Sequence, residues 1–391
     1  MKIEEINFQD ITNEDFMSNY WHKKPVLLKN AFPNLESPID GNELAGIAME
    51  DEAASRIVAI NDGEVDVLHG PFKEEDFGEY AGKSYCLLVQ EVETFVPGVL
   101  DIKRAFSFLP DWRKDDVMVS YASDGGTVGP HTDFFDVFLI QGQGKRKWEI
   151  GKKLEHEPEY YPDLPIRIMR DFEVDQTFTL EQGDALYVPP LVPHNGTAIG
   201  DSITISMGFR LPSVSEIASE YLSHIKNTTH DSQRLLESKP DSKNPGEISK
   251  AAIAEVRKII ESFPTDDDSI AHWFGKLVTN PVRSESDNEL TDLISSTDGE
   301  ASKKNLEENL KKHGTVYWNE SARFSYYVVE TGIKVFVDGE VVELGLDAIE
   351  GIKALSINRK MTFADYEKEP SMGVKYLAGS LFELNLLYTE A

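Results

Sequence analysis

Residues 131–151 read HTDFFDVFLIQGQGKRKWEIG, and residues 183–196 read GDALYVPPLVPHNG. The first stretch opens on His131 and Asp133, one residue apart. The second carries His194, 63 positions further on. Side chains at i and i+2 of an extended strand point the same way, so His131 and Asp133 can grip one ion from one side. A histidine arriving from another strand would complete a face of three ligands. Two imidazoles and one carboxylate on one face leave coordination positions open, the arrangement used for non-haem Fe(II) in oxygenases. His-x-Asp is a common pair, and read on its own His131 is a surface residue beside a turn. Its surroundings change that weighting.

Within the same stretch, Phe134 to Ile140 forms an apolar run, Gly142-Gln143-Gly144 reads as a turn, and a second run follows, so a hairpin is predicted. In the second run Arg146, Trp148 and Ile150 share one face, and Lys145, Lys147 and Glu149 share the wet one. Arg146 therefore points inward, where a guanidinium needs an anion or a dense set of acceptors. Two partners suit it: an internal Asp or Glu, or a carboxylate of a bound dicarboxylic acid held by both prongs of the fork. Around the second histidine, Gly183-Asp184 marks a turn, followed by a short strand, a proline-stiffened loop and His194. In the strand predicted over 202–209, Ser202, Thr204 and Ser206 face one way. Ile203, Ile205, Met207 and Phe209 face the other.

With these residues in place, the sequence resembles the JmjC-type 2-oxoglutarate oxygenases, and most closely the bacterial ribosomal oxygenases. The likeness is strong over about residues 115–210 and looser beyond residue 212. It implies an α+β chain built on a double-stranded β-helix, the cupin or JmjC jelly roll. A helical dimerisation bundle and a winged-helix-like C-terminal domain would follow. It implies iron ligands at His131, Asp133 and His194, and Arg146 as the anchor of the 2-oxoglutarate carboxylate. Many JmjC enzymes use lysine for that anchor, so Arg146 favours the prokaryotic subgroup. Ser120, in VMVSYASDGG, resembles the polar residue on the preceding strand that helps hold cosubstrate. Asp124 resembles a carboxylate that receives a substrate arginine. The implied chemistry is Fe(II)-, 2-oxoglutarate- and O2-dependent hydroxylation of an arginine in a basic protein of the large ribosomal subunit.

The remaining composition bounds this reading. At 391 residues the chain is long enough for two or three domains. No apolar run approaches the ~18 residues of a membrane span. The N-terminus MKIEEINFQDITNEDF lacks the basic-then-apolar layout of a signal peptide. The single cysteine, Cys86, excludes an internal disulfide framework and suits a reducing cytoplasm. It lies in an apolar run and reads as a buried structural thiol. With 39 Lys and Arg against 69 Asp and Glu, the net charge is −30. That argues against direct nucleic-acid binding, which needs phosphate neutralisation, and favours a basic protein partner. Acidity for solubility alone is the plainer explanation.

Along the chain, residues 1–211 are assigned to the catalytic domain. Within it, Trp21 to Leu28 reads as a helix end leading into a strand, with His22 structural. From Pro212 a helical period takes over, with apolar stripes at Ile217, Tyr221, Leu222 and Ile225, then Ile253, Val256, Ile259, Ile260 and Phe263, then Ile270, Trp273, Phe274 and Leu277. These define a helical region at 212–283 that either packs internally or pairs with a second copy; the family resemblance favours a homodimer. Residues 239–246 form a polar break, and 284–304 read as an acidic linker. Residues 305–391 carry the hairpin GIKVFVDGEVVELG among helices, a scaffold or protein-interaction unit with no basic helix. Two rivals remain open from sequence. One is the same chemistry on a histidine or asparagine of another protein, or on a methyl-lysine. The other is a non-oxidative metal-binding cupin, for which a buried Arg146 has no use.

Overall fold

The structure is a computed structural model and describes residues 5–61, 63–229, 234–235, 246–280, 290, 298–319 and 322–389. It divides into two compact units, Met1–Leu211 and Pro212–Ala391.

The first unit is one nine-stranded sheet folded as a jelly roll, with short helices α1 (Asn13–Asn19), α2 (Gly41–Ile47), α3 (Glu74–Gly78) and α4 (Pro97–Arg104) in its N-terminal segments. Its strands are β1 (Val26–Leu28), β2 (Ser55–Asn61), β3 (Glu64–His69), β4 (Tyr85–Val89), β5 (Lys114–Ala122), β6 (Asp136–Ile150), β7 (Gln176–Glu181), β8 (Ala185–Val188) and β9 (His194–Phe209). They lie in the order β1-β8-β6-β9-β5-β4-β2-β3, with β7 on the far half of β6. Two long strands organise it. β6 and β9 run antiparallel from Asp136↔Phe209 to Ile150↔His194. Alternation then splits their side chains. Phe138, Tyr187 and Phe209 pack outward against Phe16, Trp21 and Phe106 of the N-terminal segments, in one continuous aromatic core. Val137, Leu139, Trp148 and Ile150 form a second cluster on the opposite side.

The predicted hairpin at Gly142-Gln143-Gly144 is absent. β6 continues through it as a single strand with two irregularities, between Gln141 and Gln143 and between Gln143 and Lys145. Before them β6 pairs with β8, and beyond them with β7. The segment is therefore a bulged bend that passes one strand between two neighbours. Gly144 sits at φ +68, and a Cβ there would lie 2.2 Å from the Asp201 carbonyl oxygen. Buried Gln141 donates from Nε2 to the carbonyls of Gln143 (2.8 Å) and Ile203 (3.2 Å), satisfying backbone that the bulge leaves unpaired. A Gly-x-Gly between apolar runs signals either device. The outcome was set by β9, which at 16 residues accompanies β6 along its whole length.

His22 is structural, as expected. Its Nδ1 lies 2.7 Å from Oδ2 of buried Asp136, which also takes the Tyr187 hydroxyl at 2.5 Å. Cys86 is fully buried.

The second unit holds helices α5 (Val214–Thr228), α6 (Lys250–Glu261) and α7 (Asp267–Thr279), then α8 (Asp298–His313) and further helices alternating with two three-stranded sheets. The expected hairpin is present: Gly332–Val337 pairs with Glu340–Gly345 across Asp338 and Gly339, both at positive φ. It belongs to a three-stranded meander with Phe324–Val329. Helix α7 packs on that meander, and its Gly275 leaves room for the Phe336 ring. This unit therefore joins residues from the expected helical region 212–283 to the expected C-terminal region 305–391. Most of the polar break at 239–246 and of the expected linker at 284–304 lies outside the described residues. Residues 298–304 are the opening turns of α8 rather than linker.

Candidate active site

His131 follows Gly129-Pro130 and does not sit in a long strand. It makes a single antiparallel bridge to His194, in which each backbone N–H donates to the other's carbonyl (3.1 and 2.9 Å). Asp133 lies in the turn just after, where its carbonyl accepts the Leu191 N–H at 2.9 Å. Two backbone ties thus bind the first pair to the loop that delivers the second histidine. The ring centroids of His131 and His194 are 4.3 Å apart, and His194 Nε2 lies 3.5 Å from Asp133 Oδ2. One ligand atom from each residue falls within 4.8 Å of the other two.

The protonation pattern suits a metal. His131 Nδ1 is 2.9 Å from the Gly129 carbonyl oxygen, and His194 Nδ1 is 3.0 Å from that of Val192. A carbonyl only accepts, so each Nδ1 carries its proton and each Nε2 presents a lone pair to the shared centre. Burial, reinforced by the neighbouring His131, pushes His194 down to about 4, so it is neutral and ready to ligate near pH 7.

Arg146 lies on β6 four residues from its end and is 3% exposed. Its guanidinium donates to Ser120 Oγ (3.2 Å), Thr204 Oγ1 (3.3 Å) and the Gly196 carbonyl (3.3 Å). It also contacts Cys86 Sγ at 3.8 Å and stacks 5.0 Å from the Trp148 ring. Gly196 makes this approach possible, since a Cβ there would strike Trp148 at 2.7 Å and Arg146 Nε at 2.8 Å. Among the described residues no carboxylate pairs with Arg146. The internal salt bridge, one of its two possible partners, is therefore not made, and a buried cation ringed by neutral oxygens calls for an anion from outside. His131, Asp133, His194, Arg146, Ser120 and Thr204 all line one cavity of about 210 Å³.

A JmjC domain family matches residues 101–217. Over 266 residues the chain is 35% identical to the ribosomal protein uL16 3-hydroxylase of Escherichia coli (strain K12), covering 68% of this chain and 70% of that protein. The chain belongs to the JmjC ribosomal oxygenases. The crystal structure of the E. coli ribosomal oxygenase YcfD aligns over 99% of this chain and 100% of that chain, with a TM-score of 0.81 and 27% identity. A structure of E. coli YcfD in complex with cobalt and 2-oxoglutarate aligns with a TM-score of 0.80 and 27% identity, covering 99% of each chain.

In this ribosomal oxygenase, Asp124 stands apart from the cavity. It is exposed on the turn after β5, and its Oδ1 accepts the Gly200 N–H at 2.7 Å. Besides Asp133, the acid on the cavity wall is Asp116. Asp116, Met118 and Ser120 alternate along β5 and all face the cavity, so counting back in twos from Ser120 would have found it. Burial, then the like charges of Asp115 and Glu93, pushes Asp116 up to about 6. Arg56 of β2 also lines the cavity, and no local sequence signal marks it. Burial draws its guanidinium below the ordinary value, opposed by Asp133.

An acid held near 6 binds its proton more tightly folded than unfolded. It is neutral without cost below pH 4 and penalises the folded state increasingly up to about pH 6. The full penalty is at most about 3 kcal/mol before screening by the open cavity. Asp116→Asn is expected to raise the thermal midpoint at pH 7–8, with the gain shrinking to nothing by pH 4. A gain independent of pH, or a loss at pH 8, would contradict this placement of Asp116.

Proposed function

We propose that the chain is an Fe(II)- and 2-oxoglutarate-dependent protein hydroxylase whose substrate is an arginine of a large-subunit ribosomal protein. The observation that carries this reading is the pairing, in one cavity, of the His131–Asp133–His194 face with a buried Arg146 that has no carboxylate partner among the described residues. The donor set fits iron: two Nε2 atoms with tautomers fixed from behind, and one carboxylate, leaving positions for exchangeable ligands. When bound, iron with 2-oxoglutarate and dioxygen supplies the oxidising power to place one oxygen atom on a carbon. The protein's own residues do the rest. Arg146, flanked by Ser120 and Thr204, holds the carboxylate of 2-oxoglutarate remote from the metal as a bidentate pair. Met118, Leu139 and Val137 give the cavity an apolar wall that limits water.

The choice of arginine rests on Asp116, which takes the role first expected of Asp124. Ionised above about pH 6, it offers a planar carboxylate to a guanidinium, a two-pronged match that a neutral asparagine cannot complete. The net charge of −30 favours a basic protein as partner over nucleic acid. No helix among the described residues is long and apolar enough to cross a membrane, and a cytoplasmic enzyme meeting ribosomal proteins accords with the single buried thiol. Purified protein with Fe(II), 2-oxoglutarate and ribosomal protein uL16 is expected to release succinate and to add one oxygen atom to one arginine, read by peptide mass. Oxidation confined to histidine or asparagine would overturn the arginine reading; no succinate release at all would overturn the oxygenase.

Arg146→Ala is expected to raise the 2-oxoglutarate requirement ~10²-fold, the loss of a charge-assisted bidentate contact, with little change in iron affinity. Arg146→Lys should recover only part, because a point charge does not reproduce the fork. An unchanged 2-oxoglutarate requirement in Arg146→Ala would contradict the anchor.

We also propose a homodimer through the helices after residue 212. Helix α6 buries none of its residues, and Ile253, Val256, Ile259 and Ile260 stand exposed along it. An isologous contact would cover this stripe. Light scattering should show a dimer for the unmodified protein and a monomer for Ile253→Glu with Ile260→Glu; an unmodified monomer at micromolar concentration would remove the claim.

A further inference from the structure

A second cavity, of about 350 Å³, opens directly outside the first. The two share Arg56, Val128, His131, Asp133 and Phe135. The outer one adds Val58, Thr132, Phe134, Ile166 and Arg167, so its wall changes character; the Thr132 hydroxyl is already paired with that of Tyr160 at 3.0 Å. Phe134 and Phe135, adjacent in sequence and just past Asp133, are 45% and 40% exposed. Large apolar side chains displayed side by side at a cavity mouth mark a surface that something covers. The charges on this wall, apart from the ligand carboxylate, are both positive. Arg56 makes no ion pair among the described residues. Arg167 reaches Glu157 at 3.3 Å, but both are largely exposed, so the pair is weak and its field is screened only in part. Exposed acidic side chains, Glu155, Glu157 and Glu159, stand on the connection between β6 and β7.

We propose that the outer chamber reads the residue next to the target in the substrate polypeptide, accepting an uncharged apolar side chain and turning away lysine and arginine at that position. The proposal rests on the hydroxylase reading above and specifies its substrate. Consecutive Cα atoms are ~3.8 Å apart, so a chain that places one side chain beside His131 and Asp133 has a neighbouring residue within reach of the contiguous chamber. There an apolar group gains contact with Phe134, Phe135 and Ile166. A cationic one meets Arg56 and Arg167 and loses hydration, and the acid on this wall, Asp133, belongs to the metal-binding face. Basic residues further along the chain reach the acidic connection instead. A basic substrate is thus selected for overall charge by the rim and for an apolar neighbour by the chamber.

The test uses full-length protein loaded with cobalt and 2-oxoglutarate, and short fluorescent arginine-centred peptides in which each neighbour of the arginine is in turn Leu, Ala, Glu or Lys. Binding is read by fluorescence anisotropy; turnover of the same peptides is read separately with iron by mass. At one flanking position the leucine peptide should bind about tenfold more tightly than the lysine peptide, or better. Phe134→Ala should lower the affinity for leucine there, while Arg167→Glu should strengthen binding of the lysine peptide severalfold and leave leucine unchanged. Both side chains are exposed, so neither change threatens the fold. Equal or tighter binding of lysine at both flanks, no binding of any peptide, or a leucine-to-lysine ratio unmoved by both variants would overturn the proposal. A binding preference as expected with no oxidised peptide would leave the chamber standing and overturn the arginine hydroxylase reading.

Discussion

The antiparallel pairing of β6 with β9 is the constraint on which the site depends. Its register, from Asp136↔Phe209 to Ile150↔His194, places Arg146 across from Ala198 and delivers His194 to the bridge with His131. β5 pairs with the other edge of β9, setting Ser120 opposite Thr204, and both hydroxyls then point at Arg146. A slip of one residue in either pairing would turn every one of these side chains to the wrong face. The bulge at Gly142–Gly144 is what allows a single strand to serve both halves. It lets β6 leave β8 and join β7 without losing β9. Site geometry is thereby held largely by backbone hydrogen bonds on rigid strands; His131, fixed by its bridge to His194, and Asp133, in the turn after it, lie between β5 and β6. That turn is itself tied to Leu191.

The cavity is balanced in charge by the same placement. Two guanidinium groups, Arg146 deep and Arg56 at the mouth, face two carboxylates, Asp133 and Asp116. None of these opposite pairs closes into a salt bridge among the described residues. Each charge is therefore kept available for a ligand, at a cost in folding stability that shows as the raised Asp116 and the lowered Arg56 and His194. Sites that bind charged ligands are built in this way, with desolvation shifting the groups and neutral donors and acceptors holding them in place.

Much of this was legible in the sequence, and the failures share a cause. The structure brings His131, Asp133, His194, Arg146 and Ser120 to one cavity; the first four carried a local pattern, an i, i+2 pair, a proline-stiffened loop or a charge on an apolar face, whereas Ser120 came from the family resemblance alone. The polar side of 202–206 was found by the same alternation. The hairpin was misread because a glycine bulge and a glycine turn share one local signature, and only the length of the partner strand separates them. Asp124 was favoured for its place in a motif, yet it lies on an exposed turn outside the cavity with its carboxylate on the Gly200 N–H, whereas Asp116, two pleats before Ser120, lines the wall. Arg56 lies 75 residues before His131 and enters the site only through the strand order β2-β4-β5, which no local pattern encodes. Helix α7 likewise revealed its apolar stripe but not its partner, the meander around Phe336.

We propose that the three ligands and Arg146 form one site for a metal and a dicarboxylic acid together. Titrating cobalt(II) into the purified protein, with and without 2-oxoglutarate, and following its visible absorption reads both halves of that site. One equivalent of bound cobalt is expected, with a spectrum altered by 2-oxoglutarate in the unmodified protein. His131→Ala, Asp133→Ala and His194→Ala should each lose cobalt binding. Arg146→Ala should retain it, with the 2-oxoglutarate response moved to much higher concentration. Unchanged cobalt binding in the three ligand variants, or a 2-oxoglutarate response indifferent to Arg146, would contradict the shared site.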